Sequence, residues 1–218
     1  MAETLPPSPG AAVLVAIPPQ LHVLPAGAPL LRIWFTTSPH PAGFARFRTF
    51  GPTASRFDHH LPGPGALPAE GDRGILYVVE EHPLAFTTAL AEVFQHQRLI
   101  DLRHESPAVS VFRTTRALTL LDLTGHWTTR AGASAALASG PRDIARGWSR
   151  DFHAAYPAID GLRYRSSMSG GSGIALALYE RAEDAMPDTA LTTQPLAHPE
   201  LRRSLAEAAE RLGYALVP

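Results

Sequence analysis

The sequence predicts a single-domain α+β fold, and three features indicate it. Short aliphatic segments typical of strands are mixed with helical segments, but without the regular alternation that produces a doubly wound parallel sheet. Hydrophobic residues make up 45% of the 218 residues, which is enough for a substantial core. With 21 Pro and 17 Gly, the chain should also contain many loops.

Six segments have the aliphatic or aromatic composition of strands. They are residues 12–17, 29–36, 75–79, 108–113, 117–123 and 174–179. The first lies in an arm rich in Pro, Ala and Gly, which we expect to be irregular apart from that one strand. The second contains Arg32 among apolar neighbours, and the last follows the glycine-rich residues 169–173, which predict a turn.

Three further segments have the apolar spacing of amphipathic helices. The first is opened by Pro83 and continues to about residue 94, and the second covers residues 141–155 with Ile144, Trp148 and Phe152 spaced four apart. The third covers residues 199–212 and is followed by Gly213, a residue typical of the position after a helix. These elements divide the chain into an arm (1–27), a core domain (28–180) and a C-terminal extension (181–218) that ends in the amphipathic helix.

Residues 38–74 show no sustained period and are predicted to form a long loop, which in a compact domain is usually functional or mobile. The segment interleaves Phe with Arg, an unusual mixture for a plain linker.

Composition excludes several classes of function. The chain has no Cys, which excludes disulfides, thiolate catalysis and Cys-ligated metals, and all 19 basic residues are Arg, which excludes a Schiff-base or phosphate-loop lysine. A net charge of −1 argues against direct nucleic-acid binding. We find no export signal and no apolar run long enough to span a membrane, so we expect no membrane association and a cytoplasmic location by default.

Several local motifs are better explained by ordinary structure than by a functional site. Residues 170–173 lack the Gly-Lys-Ser/Thr of a phosphate loop and read as a turn. His59 and His60 are adjacent and would point to opposite faces of a strand, so a metal pair is the less favoured interpretation. Glu92 and His96 share one helical face at i, i+4, but a second helical His is missing, so we expect no metal site.

Three residues remain ambiguous when each is taken alone. Arg32 lies in an apolar strand, where a buried guanidinium needs an anion, either a ligand or a structural carboxylate. Glu92 comes late in a helix beside small residues that leave room around its carboxylate, although an exposed glutamate is the simpler interpretation. Ser166 precedes the glycine-rich turn and could be an ordinary loop serine.

The order of five short segments resembles the RES domain family, over about residues 28–180. The residues that carry the resemblance are Arg32 in LLRIWF, Arg56 in SRFD, Tyr77 at the end of GILY, Glu92 in AEV and Ser166 in GLRYRS. Ser167 leaves the serine assignment open by one residue.

The resemblance implies a fold similar to ADP-ribosyltransferases, with central mixed or antiparallel sheets flanked by helices. It also implies cleavage of the nicotinamide–ribose bond of NAD⁺, with NAD⁺ as substrate, inorganic phosphate or water as acceptor, and no metal. Glu92 and Arg32 would be catalytic, with Glu92 stabilising positive charge on the ribose. Arg32, Arg56, Tyr77 and Ser166 would bind NAD⁺, the arginines through its phosphates.

Proteins of this family are toxins of bacterial toxin–antitoxin pairs, so the resemblance also implies a cognate antitoxin with a helix-turn-helix (Xre-like) domain. Two alternatives remain open: transfer of ADP-ribose to a protein, and a catalytically inactive RES-like binding module.

Overall fold

The computed structural model describes residues 5–37 and 43–217, and it confirms the α+β class, with a main mixed sheet, a second sheet of two strands and flanking helices. The strands are β1 (Leu21–Leu24), β2 (Pro29–Phe35), β3 (Arg48–Gly51), β4 (Ala69–Glu80), β5 (Leu99–Asp101), β6 (Pro107–Arg113), β7 (Leu118–Asp122), β8 (Gly161–Arg165), β9 (Ile174–Tyr179), β10 (Thr192–Pro195) and β11 (Ala215–Val217). The helices are α1 (Ala11–Leu14), α2 (Ala85–Val93), α3 (Trp127–Arg130), α4 (Arg142–Ala155) and α5 (Arg202–Leu212).

Within the described ranges, nine strands form the main sheet, in the order β1-β7-β8-β9-β4-β2-β6-β10 with β3 also paired to β4. All but the β7–β8 pair are antiparallel. Strands from the arm, the core and the C-terminal extension all join this sheet. The boundaries predicted at residues 27 and 180 stay predictions.

One of the predicted strands is wrong. Residues 12–17 do not form a strand, because residues 11–14 form the short helix α1, which Gly10 precedes and Pro18 follows shortly after. A short apolar run does not distinguish the two structures by periodicity, and its alanines favour a helix. Only Leu14 of this helix is buried, and the Tyr156 hydroxyl donates to its carbonyl at 2.7 Å.

The predicted loop 38–74 is partly wrong as well. Residues 48–51 form β3, and β4 begins at Ala69, six residues before the predicted strand at Ile75. The four residues of β3 are too few to show a period in the sequence. Residues 38–42 of the predicted loop lie outside the described residues.

Apart from the start of β4, the other predicted strands and the three predicted helices are confirmed within three residues at each end. Gly213 ends α5 with a left-handed φ of 64°. Among the described residues, no helix is long and apolar enough to cross a membrane.

The two faces of the sheet pack against different parts of the chain. On one face, α4 covers Tyr164 and Ala177, while α2 and α5 cover Ile33 and Val79. On the opposite face, Leu30, Leu76, Val78 and their neighbours pack against Phe47 of the segment before β3. The candidate site lies on the first face, where α2 and α4 approach the end of β8.

Candidate functional site

The centre of the site is a contact between Glu92 and Ser166. Glu92 lies in the last turn of α2, and its carboxylate lies near the Ser166 hydroxyl directly after β8, which favours its ionised form. Ser166 is fully buried, whereas Ser167 is exposed, so Ser166 is the serine that faces Glu92. The Glu92 residue as a whole is only partly buried.

The turn after β8 fixes the position of Ser166. Its amide donates to the Gly173 carbonyl at 2.9 Å, and its hydroxyl oxygen accepts from the Met168 amide at 3.2 Å. Gly173 lies against α2 so closely that a Cβ there would be 2.2 Å from the Thr88 hydroxyl oxygen. The predicted glycine-rich turn is therefore confirmed, and its function is to bring Ser166 up to α2.

Two arginines lie beside Glu92. The carboxylate raises the pKa of Arg56, while burial and the nearby Arg142 lower it more strongly. Arg56 donates to the Gly140 carbonyl at 2.5 Å, just before α4. Arg142, the first residue of α4, donates to the side chain of Gln95 at 2.5 Å.

Burial raises the pKa of Glu92 above its ordinary value, and three neighbours oppose that shift. They are the Ser166 hydroxyl and the charges of Arg56 and Arg142. The result is a carboxyl group that is more easily protonated than a surface glutamate. A desolvated carboxylate between cations is suited to stabilise positive charge that develops on a bound molecule.

Aromatic side chains complete the site. Tyr77 of β4 and Tyr164 of β8 are both close enough to Arg56 to affect its pKa, and burial raises the pKa of each phenol. The Tyr164 ring packs on Phe57 with 4.6 Å between centroids. Tyr77 is only partly buried, so it can present a ring surface to a planar ligand.

Arg32 does not join this cluster. In β2 it follows Leu31, which pairs with Val79, so it projects from the face of Leu30, opposite to the face of Tyr77. Its Nη1 donates to three backbone carbonyls, those of Gly43 (2.9 Å), Phe44 (2.9 Å) and Arg46 (3.2 Å).

The structure thus brings together four of the five predicted site residues and places Arg32 apart. Burial lowers the pKa of its guanidinium to about 10. The sequence predicted that Arg32 binds either an anionic ligand or a structural carboxylate. Its hydrogen-bond partners among the described residues are backbone carbonyls and include no carboxylate. A role for Arg32 in binding a ligand stays a prediction.

Sequence reasoning missed Arg142 and Tyr164 as members of the cluster. Arg142 is the first of three arginines in a helix whose apolar stripe faces the core, and no local pattern distinguishes it. Tyr164 stands two residues before Ser166 in a strand, and this spacing places both on one face of the sheet. That signal was available in the sequence.

The predicted pairing of Glu92 with His96 on one helical face is wrong. The helix α2 ends at Val93, so His96 lies beyond its last turn. The His96 ring nitrogen instead lies 3.1 Å from a guanidinium nitrogen of Arg142.

His59 belongs to a different cluster, with His153 and Glu180, whose ligand atoms lie within 4.8 Å of one another. The Nε2 atoms of His59 and His153 contact the two carboxylate oxygens of Glu180 at 3.0 and 2.6 Å. A metal on these Nε2 atoms would need an acceptor at each Nδ1–H, but Arg181 donates towards Nδ1 of His153. The Nδ1 of His59 is buried without a partner among the described residues. The arrangement therefore fits hydrogen bonds better than a metal.

The model of the RES domain matches residues 29–201 of this chain. A comparison with curated proteins finds no match. Among solved structures, the chain is similar to one chain of the crystal structure of the M. tuberculosis MbcT–MbcA toxin–antitoxin complex. The TM-score is 0.53 at 15% sequence identity, and the alignment covers 90% of this chain and 96% of that chain. At this identity the likeness concerns the fold.

Proposed function

Since the chain belongs to the RES domain family, we propose that it is an NAD⁺-degrading enzyme and the toxin of a bacterial toxin–antitoxin pair. The observation that carries the proposal is the position of the Glu92 carboxylate, which lies beside Ser166 and Arg56. These are three of the residues on which the family resemblance rests, and they come from three distant segments of the chain.

The proposed reaction breaks the bond between the nicotinamide nitrogen and C1 of its ribose. Nicotinamide leaves with the bonding electron pair, and the ribose acquires the positive charge of an oxocarbenium-like state. An oxygen of inorganic phosphate then bonds to C1, or a water molecule does so and loses a proton. The products are nicotinamide and ADP-ribose, either phosphorylated at C1 or free.

Each residue of the cluster has a task in this reaction. The Glu92 carboxylate stabilises the positive charge on the ribose, and Ser166 keeps that carboxylate in place. Arg56 binds a phosphate oxygen of the dinucleotide. The ring of Tyr77 offers a surface for nicotinamide.

Incubation of the purified chain with NAD⁺, with and without phosphate and with and without cell lysate, tests the proposal. Release of nicotinamide that depends on phosphate supports phosphorolysis, and release without phosphate supports hydrolysis. A labelled lysate protein would instead support ADP-ribosylation of a protein. Absence of NAD⁺ consumption in every condition would contradict the enzymatic proposal.

We also propose an antitoxin as partner, because the similar solved structure is a toxin–antitoxin complex. Its helix-turn-helix (Xre-like) domain is what the family resemblance implies. Expression of the chain in bacteria should arrest growth and deplete NAD⁺. Co-expression of the helix-turn-helix protein encoded beside it should restore both, and unchanged growth arrest on co-expression would contradict the pairing.

A further inference from the structure

We propose that Arg142 is a second phosphate-binding residue of this site and acts together with Arg56 on one phosphate group. The inference rests on the proposed function, and it assigns a role to a residue outside the predicted set. The phosphate group belongs either to the dinucleotide or to the inorganic phosphate acceptor.

The guanidinium of Arg142 is held in a fixed direction by neutral groups. Its Nη2 donates to Gln95 Oε1 at 2.5 Å, and its Nη1 lies 3.1 Å from His96 Nε2 and 3.4 Å from the Ala54 carbonyl. The partners come from the segment after α2 and from the segment that carries Arg56. A planar guanidinium fixed in this way loses little conformational entropy when it binds a phosphate.

Charge at the site is not balanced. Neither Arg56 nor Arg142 forms an ion pair within 4.0 Å in the described part of the chain, and the Glu92 carboxylate near them offers at most one negative charge against their two positive charges. Two other partly buried arginines do have carboxylate partners: Arg48 pairs with Asp58 at 2.8 Å, and Arg163 pairs with Glu80 at 2.9 Å.

Two guanidiniums beside one desolvated carboxylate leave an excess of positive charge where the substrate is expected. Arg142 is also close enough to lower the pKa of Arg56, so an anion between the two would relieve their mutual repulsion. A phosphate group is the natural complement, because its oxygens accept from two guanidinium groups at once.

The test is calorimetric binding to the full chain of three probes: ADP-ribose, which carries a pyrophosphate; inorganic phosphate; and adenosine, which carries no phosphate. We compare the wild type with Arg142→Gln, Arg142→Lys and the control Arg203→Gln. Arg203 is 90% exposed on α5 and pairs with Glu207, so the control removes the same charge elsewhere. Circular dichroism establishes that each variant is folded, and Arg142→Lys retains the charge if Arg142→Gln does not fold.

Arg142→Gln should weaken binding of one phosphate probe by about tenfold or more, with adenosine and Arg203→Gln unaffected. Arg142→Lys should weaken phosphate binding less, because lysine keeps the positive charge and loses only the planar arrangement of donors of the guanidinium. Loss for ADP-ribose alone identifies the dinucleotide as the source of the phosphate group, and loss for inorganic phosphate alone identifies the acceptor.

Equal binding by the wild type and both Arg142 variants overturns the inference, as does a wild type that binds neither phosphate probe. If phosphate binding depends on Arg142 but the wild type does not consume NAD⁺, the proposed function fails and the phosphate site stands. If NAD⁺ is consumed and Arg142→Gln changes neither turnover nor binding, the inference fails alone.

Discussion

The Ser166 hydroxyl lies near the Glu92 carboxylate and favours its ionised form, so this contact joins the end of α2 to the turn after β8. The two residues are far apart in the sequence, and their contact depends on the close approach of α2 to Gly173. The arrangement of the site therefore depends on packing as well as on its polar groups.

Glu92→Gln should abolish nicotinamide release and leave the fold intact. The amide occupies the same volume but cannot stabilise positive charge on the ribose. Because burial disfavours the ionised carboxyl group, its neutral replacement should not destabilise the protein. Chromatography of nicotinamide and a thermal unfolding curve measure the two effects.

The matched control is Glu210→Gln, which makes the same chemical change at an exposed position of α5. It should retain wild-type turnover. Full NAD⁺ consumption by Glu92→Gln would remove Glu92 from the mechanism.

Turnover should increase with pH through the acidic range, with a midpoint above the ordinary value of 4.5, because the pKa of Glu92 is raised and its ionised form is the active one. Ser166→Ala should move the midpoint higher, since it removes a hydroxyl that favours the ionised form. The pH affects stability in the opposite direction to turnover. The contribution of Glu92 to the free energy of unfolding is present below the ordinary pKa of the carboxyl group and is lost as pH rises through its raised pKa.

A pH series of kcat for the wild type and Ser166→Ala tests this dependence, with Ser167→Ala at the exposed neighbouring serine as control. A midpoint at or below 4.5, or one unchanged in Ser166→Ala, would contradict the assigned environment of Glu92.

Gly173→Ala should destabilise the protein by about 1–3 kcal/mol, typical of overpacking. The added methyl group would meet Thr88 Oγ1 at 2.2 Å and Ser169 Oγ at 2.5 Å, so α2 or the turn must move. Because this movement separates Glu92 from Ser166, turnover should fall as well. Urea unfolding and nicotinamide release provide the two measurements.

Gly171→Ala is a poor control because Gly171 has a positive φ of 76°. Gly147→Ala in α4 is better, since its Cβ would meet only one side-chain atom, at 3.8 Å. Thr88→Ala should restore part of the stability and turnover that Gly173→Ala loses, because it removes the clashing hydroxyl. If the double variant recovers neither, the clash with Thr88 is not the cause.

The sequence predicted the helices and strands that form the site better than the contacts between their side chains. Periodicity and strand composition located α2, β4 and β9, since each has a continuous apolar face. The sequence could not show from which face of the sheet Arg32 projects, because residues 30–35 are apolar apart from the arginine and do not alternate between apolar and polar. It could not find Arg142 either, because the contact of Arg142 with Gln95 depends on how α2 and α4 pack.

Arg32→Ala should lower the free energy of unfolding by about 2 kcal/mol, because it removes the charged donor of three carbonyl groups. Arg113→Ala is the control, since that exposed arginine donates to one carbonyl, of Gly27, and should cost less. Urea unfolding measures both. Equal stability of Arg32→Ala and wild type would contradict the structural role, and a change in NAD⁺ affinity at equal stability would support the binding role that the family resemblance implies.

The cluster of His59 and Glu180 should make the fold sensitive to acid. Burial lowers the pKa of His59 from 6.5 to about 4, so the unfolded chain binds more protons between these values and stability falls as pH decreases through this window. The pKa of Glu180 is lowered by its hydrogen bonds to His153 and His59, so its contribution to stability is lost only below its ordinary value of 4.5.

His59→Gln keeps a donor near Nε2 but cannot titrate, and it should flatten the dependence of unfolding free energy on pH between 6.5 and about 4. Urea unfolding across this range, with His126→Gln at an exposed site as control, measures the slope. A slope in His59→Gln equal to that of the wild type would mean that the buried imidazole does not cause the acid sensitivity.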